Sequence, residues 1–215
     1  MQSMLVVGLG RFGRHLALRL AELGNEVMIV DQDETIVNKL APFVTSAYIG
    51  DCMDEEVVKS LGVRNFDVCF VCISENFQSS LEITSLLKEA GAKMVVSKTD
   101  REIHAKFLMK VGADAVIHPE RDIAWRAALK YTAKNVFDYI EFTPEYAIFE
   151  IIVPTIWIGH TIRDLKIRER YSINIIGLKN DDEVIPMVNA DHLFFAKEHL
   201  FVAGKKEDVM RLMDK

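Results

Sequence analysis

The sequence predicts an α/β protein, a doubly wound parallel sheet followed by a smaller α+β module. Three observations predict it. Short apolar runs alternate with helical patterns up to about residue 118, several of these runs are apolar throughout, and the rhythm changes from about residue 141. Strands apolar on both faces belong to a parallel sheet covered by helices on either side. Strands alternating with helices imply right-handed crossovers, and in such sheets ligands bind at the carboxyl ends of the strands.

Taken in order, strands are expected at 3–8, 26–31, 45–49, 67–73, 93–97 and 114–117, and helices at 11–23, 33–41, 54–61, 76–90 and 100–111. Gly24-Asn25, Gly50-Asp51, Gly62, Gly91 and Gly112 punctuate them. A longer helix, about 119–137, follows His118-Pro119-Glu120, with Pro119 suited to its first turn. Ile123, Ala124, Ala127, Ala128 and Tyr131 mark one apolar face of it, and Trp125, Leu129 and Val136 another. A helix apolar on two faces is buried on both, either in an internal core or against a second subunit. Further on, strands are expected at 148–153, 173–178, 183–188 and 199–203. Helical stretches are expected at 161–170 and 206–213, and a turn at Asn180-Asp181-Asp182.

Half of the 215 residues are hydrophobic, enough for a sizeable core. The longest apolar runs reach only six or seven residues, whereas a membrane-spanning helix needs roughly 18. The first run leads into a glycine turn and not a cleavage site, so a cytoplasmic chain is expected. The net charge of −6 is evenly divided, with 16 basic and 19 acidic residues over 1–140 and 10 and 13 over 141–215. Neither part has the basic excess that nucleic-acid binding requires. Cys52, Cys69 and Cys72 fit a reducing compartment. Cys69 and Cys72 lie in a strand-like run, where side chains three apart point to opposite faces, so core cysteines are expected and not a redox or metal pair.

The most specific chemistry lies at the amino end. The run Met4–Val7 enters Gly8-Leu9-Gly10-Arg11-Phe12-Gly13, which opens into a helical pattern. Gly8 permits the tight turn, Gly10 lets backbone approach a phosphate, and Gly13 lets helix pack on strand. The helix N-terminus then faces an anion. Asp31, 18 residues past Gly13 at the end of the second apolar run, stands where a carboxylate would accept from both ribose hydroxyls. An acid there disfavours a 2′-phosphate, and hence NADP. Asp33 is the better candidate for the helix cap that follows. Asp51 could accept from an adenine amine or cap the helix at 54–61. Arg11 adds a cation beside the glycines, which suits a di- or triphosphate better than the pyrophosphate of NAD.

No catalytic group emerges. Tyr131-x-x-Lys134 has the wrong spacing for a short-chain dehydrogenase pair, and His104, His118 and His160 lack an evident carboxylate partner. A nucleotide sensor is therefore expected. The alternatives are an NAD-dependent oxidoreductase and an assembly module whose nucleotide is only structural.

The chain as a whole resembles the regulatory subunits of bacterial Ktr and Trk potassium uptake systems, which carry RCK (KTN) domains, the Ktr type being nearest. The motifs that carry the resemblance are Gly-Leu-Gly-Arg-Phe-Gly (8–13), Gly50-Asp51, Val111-Gly112-Ala113-Asp114, Ile117-His118-Pro119-Glu120-Arg121-Asp122 and Leu165-Lys166-Ile167-Arg168. The resemblance implies a non-enzymatic Rossmann-like domain over 1–118, a crossover and dimerisation helix over 119–140 and a C-terminal domain over 141–215. It implies a homodimer that assembles into a homo-octameric ring beneath a membrane potassium channel or transporter, with ATP and ADP, or NADH and NAD, setting the shape of the ring.

Residue by residue, the resemblance places Arg11 at the terminal phosphate beside Gly8, Gly10, Phe12 and Gly13, and Asp31 at the ribose, with Gln32 and Asp33 also among the nucleotide-binding residues. Asp51 and Cys52 would border the adenine. Ile73, Ser74, Glu75, Lys98, Thr99 and Asp100 would line the cleft, with His104 near the phosphates. Glu120 would approach the γ-phosphate of a neighbouring subunit's ATP through a bridging Mg2+ or Na+. Some Ktr-type members also bind cyclic di-AMP between paired C-terminal modules. Arg168 and Asn174 match positions used there, whereas Arg163 replaces an expected aliphatic residue and Glu183 falls where a polar contact is expected.

Overall fold

The computed structural model describes residues 1–132, 136–143, 145–180 and 183–213. The chain divides into two compact units, Met1–Asp122 and Ile123–Lys215. Lys134, the expected turn at 181–182 and the side chain of Leu129 lie outside the described residues.

In the first unit the order is β1 (Ser3–Val7), α1 (Arg11–Glu22), β2 (Glu26–Asp31), α2 (Glu34–Leu40), β3 (Ser46–Ile49) and α3 (Glu55–Ser60). It continues with β4 (Val68–Val71), α4 (Phe77–Glu89), β5 (Val95–Lys98), α5 (Glu102–Val111) and β6 (Ala115–Ile117). All six strands are parallel, in the order β3-β2-β1-β4-β5-β6, with Val6 opposite Ile29 on one side and Phe70 on the other. This is a doubly wound sheet, and the order reverses between β1 and β4, which opens a crevice at their carboxyl ends.

Alternate residues of β1 serve two cores. Leu5 and Val7 pack with Cys69, Val71, Ile83 and Leu87, while Met4 and Val6 pack with Ala17, Ile29 and Val37. Cys69 and Cys72 fall in different clusters, so they do point to opposite faces. Burial pushes the thiols of Cys52, Cys69 and Cys72 up to about 12, as suits cysteines packed in a core.

Asp114, just before β6, ties that strand to its neighbour. Its carboxylate accepts from Val95 N at 2.7 Å and from Lys88 Nζ at 3.0 Å. The Val95 N–H first, and then Lys88, hold this carboxyl below the ordinary aspartate value. A depressed carboxyl stabilises the fold above the unfolded pKa and loses that contribution as pH falls through the folded one. Asp114→Ala should therefore lower stability by about 1–2 kcal/mol at neutral pH, a difference that shrinks below about pH 4. Thermal melts across that range would check it, and an equal deficit at every pH would refute the assignment.

α6 (Pro119–Thr132) is shorter than the sequence suggests. Residues 136 and 137, expected to end that helix, instead begin the strand β7 (Val136–Glu141). A bulge between Val136 and Asp138 leaves Val136 and Tyr139 both buried although three residues apart. A bulge adds one residue to a strand, and the resulting i, i+3 spacing mimics a helical stripe. The internal-core reading of α6 also fails within the single chain, since Ile123 is 68% and Trp125 52% exposed.

The second unit continues with β8 (Tyr146–Ile152), α7 (Ile162–Leu165), α8 (Ile167–Tyr171), β9 (Ile173–Asn180), β10 (Glu183–Ile185), β11 (His199–Lys205) and α9 (Lys206–Met213). Its five strands run β10-β9-β11-β8-β7, every pair antiparallel. The core is built from Phe149, Ile151, Trp157, Leu178, Phe194, Val202 and Val209. The single helix expected at 161–170 is broken at Lys166, which takes φ of 47°. Leu165 and Ile167 are both buried. Two positions apart on one helix they would point about 200° from each other at 3.6 residues per turn, so the break lets both reach the core.

Candidate functional site

The crevice at the strand ends is a cavity of about 520 Å3, within the size range of small-molecule sites. Its base is the turn between β1 and α1. Gly8 has φ of +89°, and a Cβ there would meet Ile73 Cγ1 at 2.7 Å. Gly13 lies under the turn, where a Cβ would stand 2.0 Å from the Gly8 carbonyl oxygen. Gly10 is the opposite case, with nothing within 4 Å of an added Cβ. It caps α1 without any side-chain hydrogen bond, so the first N–H groups of that helix are left to an anion from the cleft. Arg11 and Phe12 line the same opening.

Asp31 ends β2 and is fixed to this turn. Its Oδ2 accepts from Leu9 N at 2.5 Å and its Oδ1 from Asp33 N at 2.9 Å. Each carboxylate oxygen keeps a further lone-pair site, so the group can still accept from ribose hydroxyls. Asp33 caps α2, accepting from Thr35 N and Ile36 N, as its sequence position suggested. Asp51 does not cap α3. Asp54 does so, accepting from Glu56 N, while Asp51 accepts from Met53 N at 2.9 Å within its own turn. The side chain of Asp51 thus remains at the cleft edge with Cys52, Gln32 and Asp33.

The far side is formed by Ile73, Ser74 and Glu75 after β4, by Lys98 at the end of β5 and by Glu120 in the first turn of α6. Lys98 Nζ donates to Glu120 Oε1 at 2.6 Å. That bond, more than the nearby Arg11, holds the Glu120 carboxyl below the ordinary glutamate range. Thr99, Asp100 and His104 are not among the lining residues. Thr99 is buried against β6, donating from N to Ile117 O, and the His104 ring stacks on Phe77 with centroids 3.7 Å apart. Sequence reasoning missed Asn76 and Ser79, which do line the cleft. Asn76 caps α4 by accepting from Ser79 N at 3.2 Å. An Asn before a helical pattern was the available signal. Among the described residues no cluster of three or more His, Cys, Asp or Glu side chains could hold a metal ion.

In the second unit Arg168 Nε donates to Asn174 Oδ1 at 2.8 Å. The two line a shallow depression with Phe142, Tyr146, Ser172 and Gly204. Arg163 is drawn to Asp191 at 2.8 Å, and Glu183 lies exposed at the start of β10.

A doubly wound Rossmann-like domain with an anion-ready turn, joined to an antiparallel α+β module, is the class of protein that fold and cleft define. The TrkA-N domain family matches residues 4–119 and the TrkA-C domain family residues 146–215. The chain is 43% identical over 206 residues to Ktr system potassium uptake protein C of Bacillus subtilis strain 168, covering 96% of this chain and 93% of that one. It is 34% identical over 206 residues to Ktr system potassium uptake protein A of the same organism, with the same coverage. The chain belongs to the Ktr-type potassium uptake proteins with TrkA-N and TrkA-C domains, a family of channel regulators and not of enzymes. Among solved structures it shares the fold of the GsuK channel bound to NAD, with a TM-score of 0.70 and 17% identity over 99% of this chain and 39% of that one. GsuK bound to ADP aligns with a TM-score of 0.53 and 14% identity over 62% of this chain and 36% of that one. Among the described residues no helix is long and apolar enough to cross a membrane.

Proposed function

We infer that this chain is the nucleotide-sensing subunit of a Ktr-type potassium uptake system. An adenine nucleotide binds in the cleft, with its ribose on Asp31, its adenine beside Asp51 and Cys52, and its phosphates on the α1 turn and Arg11. The observation that carries this is the uncapped α1 N-terminus above an open Gly10, held by hydrogen bonding to the ribose-side carboxylate. GsuK, of the same fold, binds NAD in one structure and ADP in another.

Arg11 favours ATP and ADP over NAD. The cleft lines five carboxylates (Asp31, Asp33, Asp51, Glu75 and Glu120) against two cations, Arg11 and Lys98. A polyphosphate entering it benefits from a further cation, Mg2+ or Na+, shared by the γ-phosphate and Glu120 of a neighbouring subunit. ATP and ADP then shift the conformation of a ring through their different affinities for its two states. The exposed α6 is the dimerisation helix, dimers build the octameric ring, and the ring sits on the cytoplasmic face of a membrane Ktr partner. Arg168 and Asn174 are the residues that cyclic di-AMP would contact in the second unit.

The test is the nucleotide that co-purifies with the protein, identified together with the mass of the assembly, followed by titration with ATP, ADP and NADH. Exchangeable adenine nucleotide in an oligomer is the expected result. A monomer with no saturable binding of any adenylate would sink the proposal, and a nucleotide that cannot be exchanged would mark a purely structural role.

A further inference from the structure

Among the described residues, one acid of the cleft is joined to one of its cations. Lys98 Nζ and Glu120 Oε1 lie 2.6 Å apart, and the two partners differ in freedom. The Lys98 side chain is 9% exposed and ends a strand buried at every position, whereas Glu120 is 62% exposed. The Lys98 ammonium also lies 5.7 Å from the centroid of the Phe12 ring, next to Arg11. A buried ammonium requires an anion beside it, and within the chain Glu120 supplies one.

Strand order gives the cleft a direction. Asp51 follows β3, Asp31 ends β2, Arg11 follows β1, and Lys98 ends β5, with β4 between. At about 4.8 Å between neighbouring strands, Lys98 lies on the order of 14 Å along the sheet from Asp31, beyond the phosphate turn. A nucleotide held by its ribose on Asp31, with its phosphates at the α1 turn, therefore points its terminal phosphate toward Lys98.

We propose that Lys98 exchanges partners: the γ-phosphate of bound ATP replaces the Glu120 carboxylate on the Lys98 ammonium, and Glu120 is released. This rests on the nucleotide reading above and deepens it. Release from Lys98 frees Glu120 Oε1 and the swing of its side chain toward a cation shared with a neighbouring subunit, so phosphate binding in one subunit readies that subunit's own carboxylate. The oxidised nicotinamide ring of NAD is cationic and brings no anion to displace Glu120. The exchange thus selects a terminal phosphate over nicotinamide.

The experiment titrates ATP, NAD and adenosine into the full chain in potassium buffer with EDTA, which removes the bridging cation. Glu120→Gln deletes the internal competitor and should tighten ATP about tenfold, with NAD and adenosine changed less than about twofold. Lys98→Met should weaken ATP about tenfold, and adding Glu120→Gln to it should change nothing further. Melting gives an independent readout. Glu120→Gln leaves a buried cation uncompensated, so ATP should raise its melting temperature by more than it raises that of the wild type, which a merely structural role would not produce. An ATP affinity unchanged or lowered in Glu120→Gln, or a gain that persists without Lys98, overturns the exchange. Failure of the wild-type chain to bind ATP or NAD overturns the nucleotide reading itself.

Discussion

Gly13→Ala should abolish nucleotide binding and lower the melting temperature by more than any other single methyl group added to the turn. The obstacle is space and not backbone conformation, since Gly13 is absent from the positive-φ glycines. Its new Cβ would stand 2.0 Å from the Gly8 carbonyl oxygen and 3.1 Å from Cys72 Cβ. A backbone carbonyl in the first turn of a doubly wound sheet cannot move aside without taking β1 or α1 with it. Overpacking typically costs about 1–3 kcal/mol, and this contact belongs at or above the upper end. Gly10→Ala is the control that separates cradle from fold. Its methyl meets no protein atom within 4 Å, so stability should hold while the group that the turn was left open for is obstructed. Thermal melts paired with ADP titration would distinguish the two. Equal stability loss in both variants would mean that the turn is packed differently from the geometry described.

Arg11→Ala should weaken ATP about tenfold and ADP only about two- to threefold, with little change in melting temperature. Arg11 is exposed in the first turn of α1, so its removal opens no cavity. What it loses is a charge-assisted bond to the terminal phosphate. A ligand moves an equilibrium only through the difference between its affinities for the two states, so the ATP/ADP ratio is the quantity that matters to a switch. Titration calorimetry of both nucleotides would measure it. Equal losses for ATP and ADP would remove Arg11 from the γ-phosphate and place it on the shared part of the ligand.

Much of the first unit was legible because its signals are local. A strand covered on both faces is a continuous apolar run, and the glycine turn and Asp31 carry their chemistry in residue type and spacing. Asp33 was rightly placed as a cap because a cap is read from the residues that follow it. Errors arose where local spacing admits two structures. Val136 falls at helical spacing from Trp125 and Leu129, and only its pairing with β8 reveals a strand. Asp51 and Asp54 both precede α3, and which of them turns its carboxylate to the helix depends on backbone geometry that a sequence does not display. His104 shows a third limit. Its place on α5 was readable, but its contact with Phe77 of α4 joins two helices across the packing of the unit.

By itself the sequence determined the order of strands and helices in the first unit, the glycine turn, the acid that would hold a ribose and the family to which the chain is related. All of these are properties of neighbouring residues or of fixed spacing. Only the tertiary structure decided that Lys98 and Glu120, 22 positions apart, meet in one cleft, and that Arg168 of α8 meets Asn174 of β9. It also decided that residues 136–141 close the second sheet. The physical reason is that pairing partners are chosen by packing between elements distant along the chain, and the energy of such contacts appears only once the sheets are built.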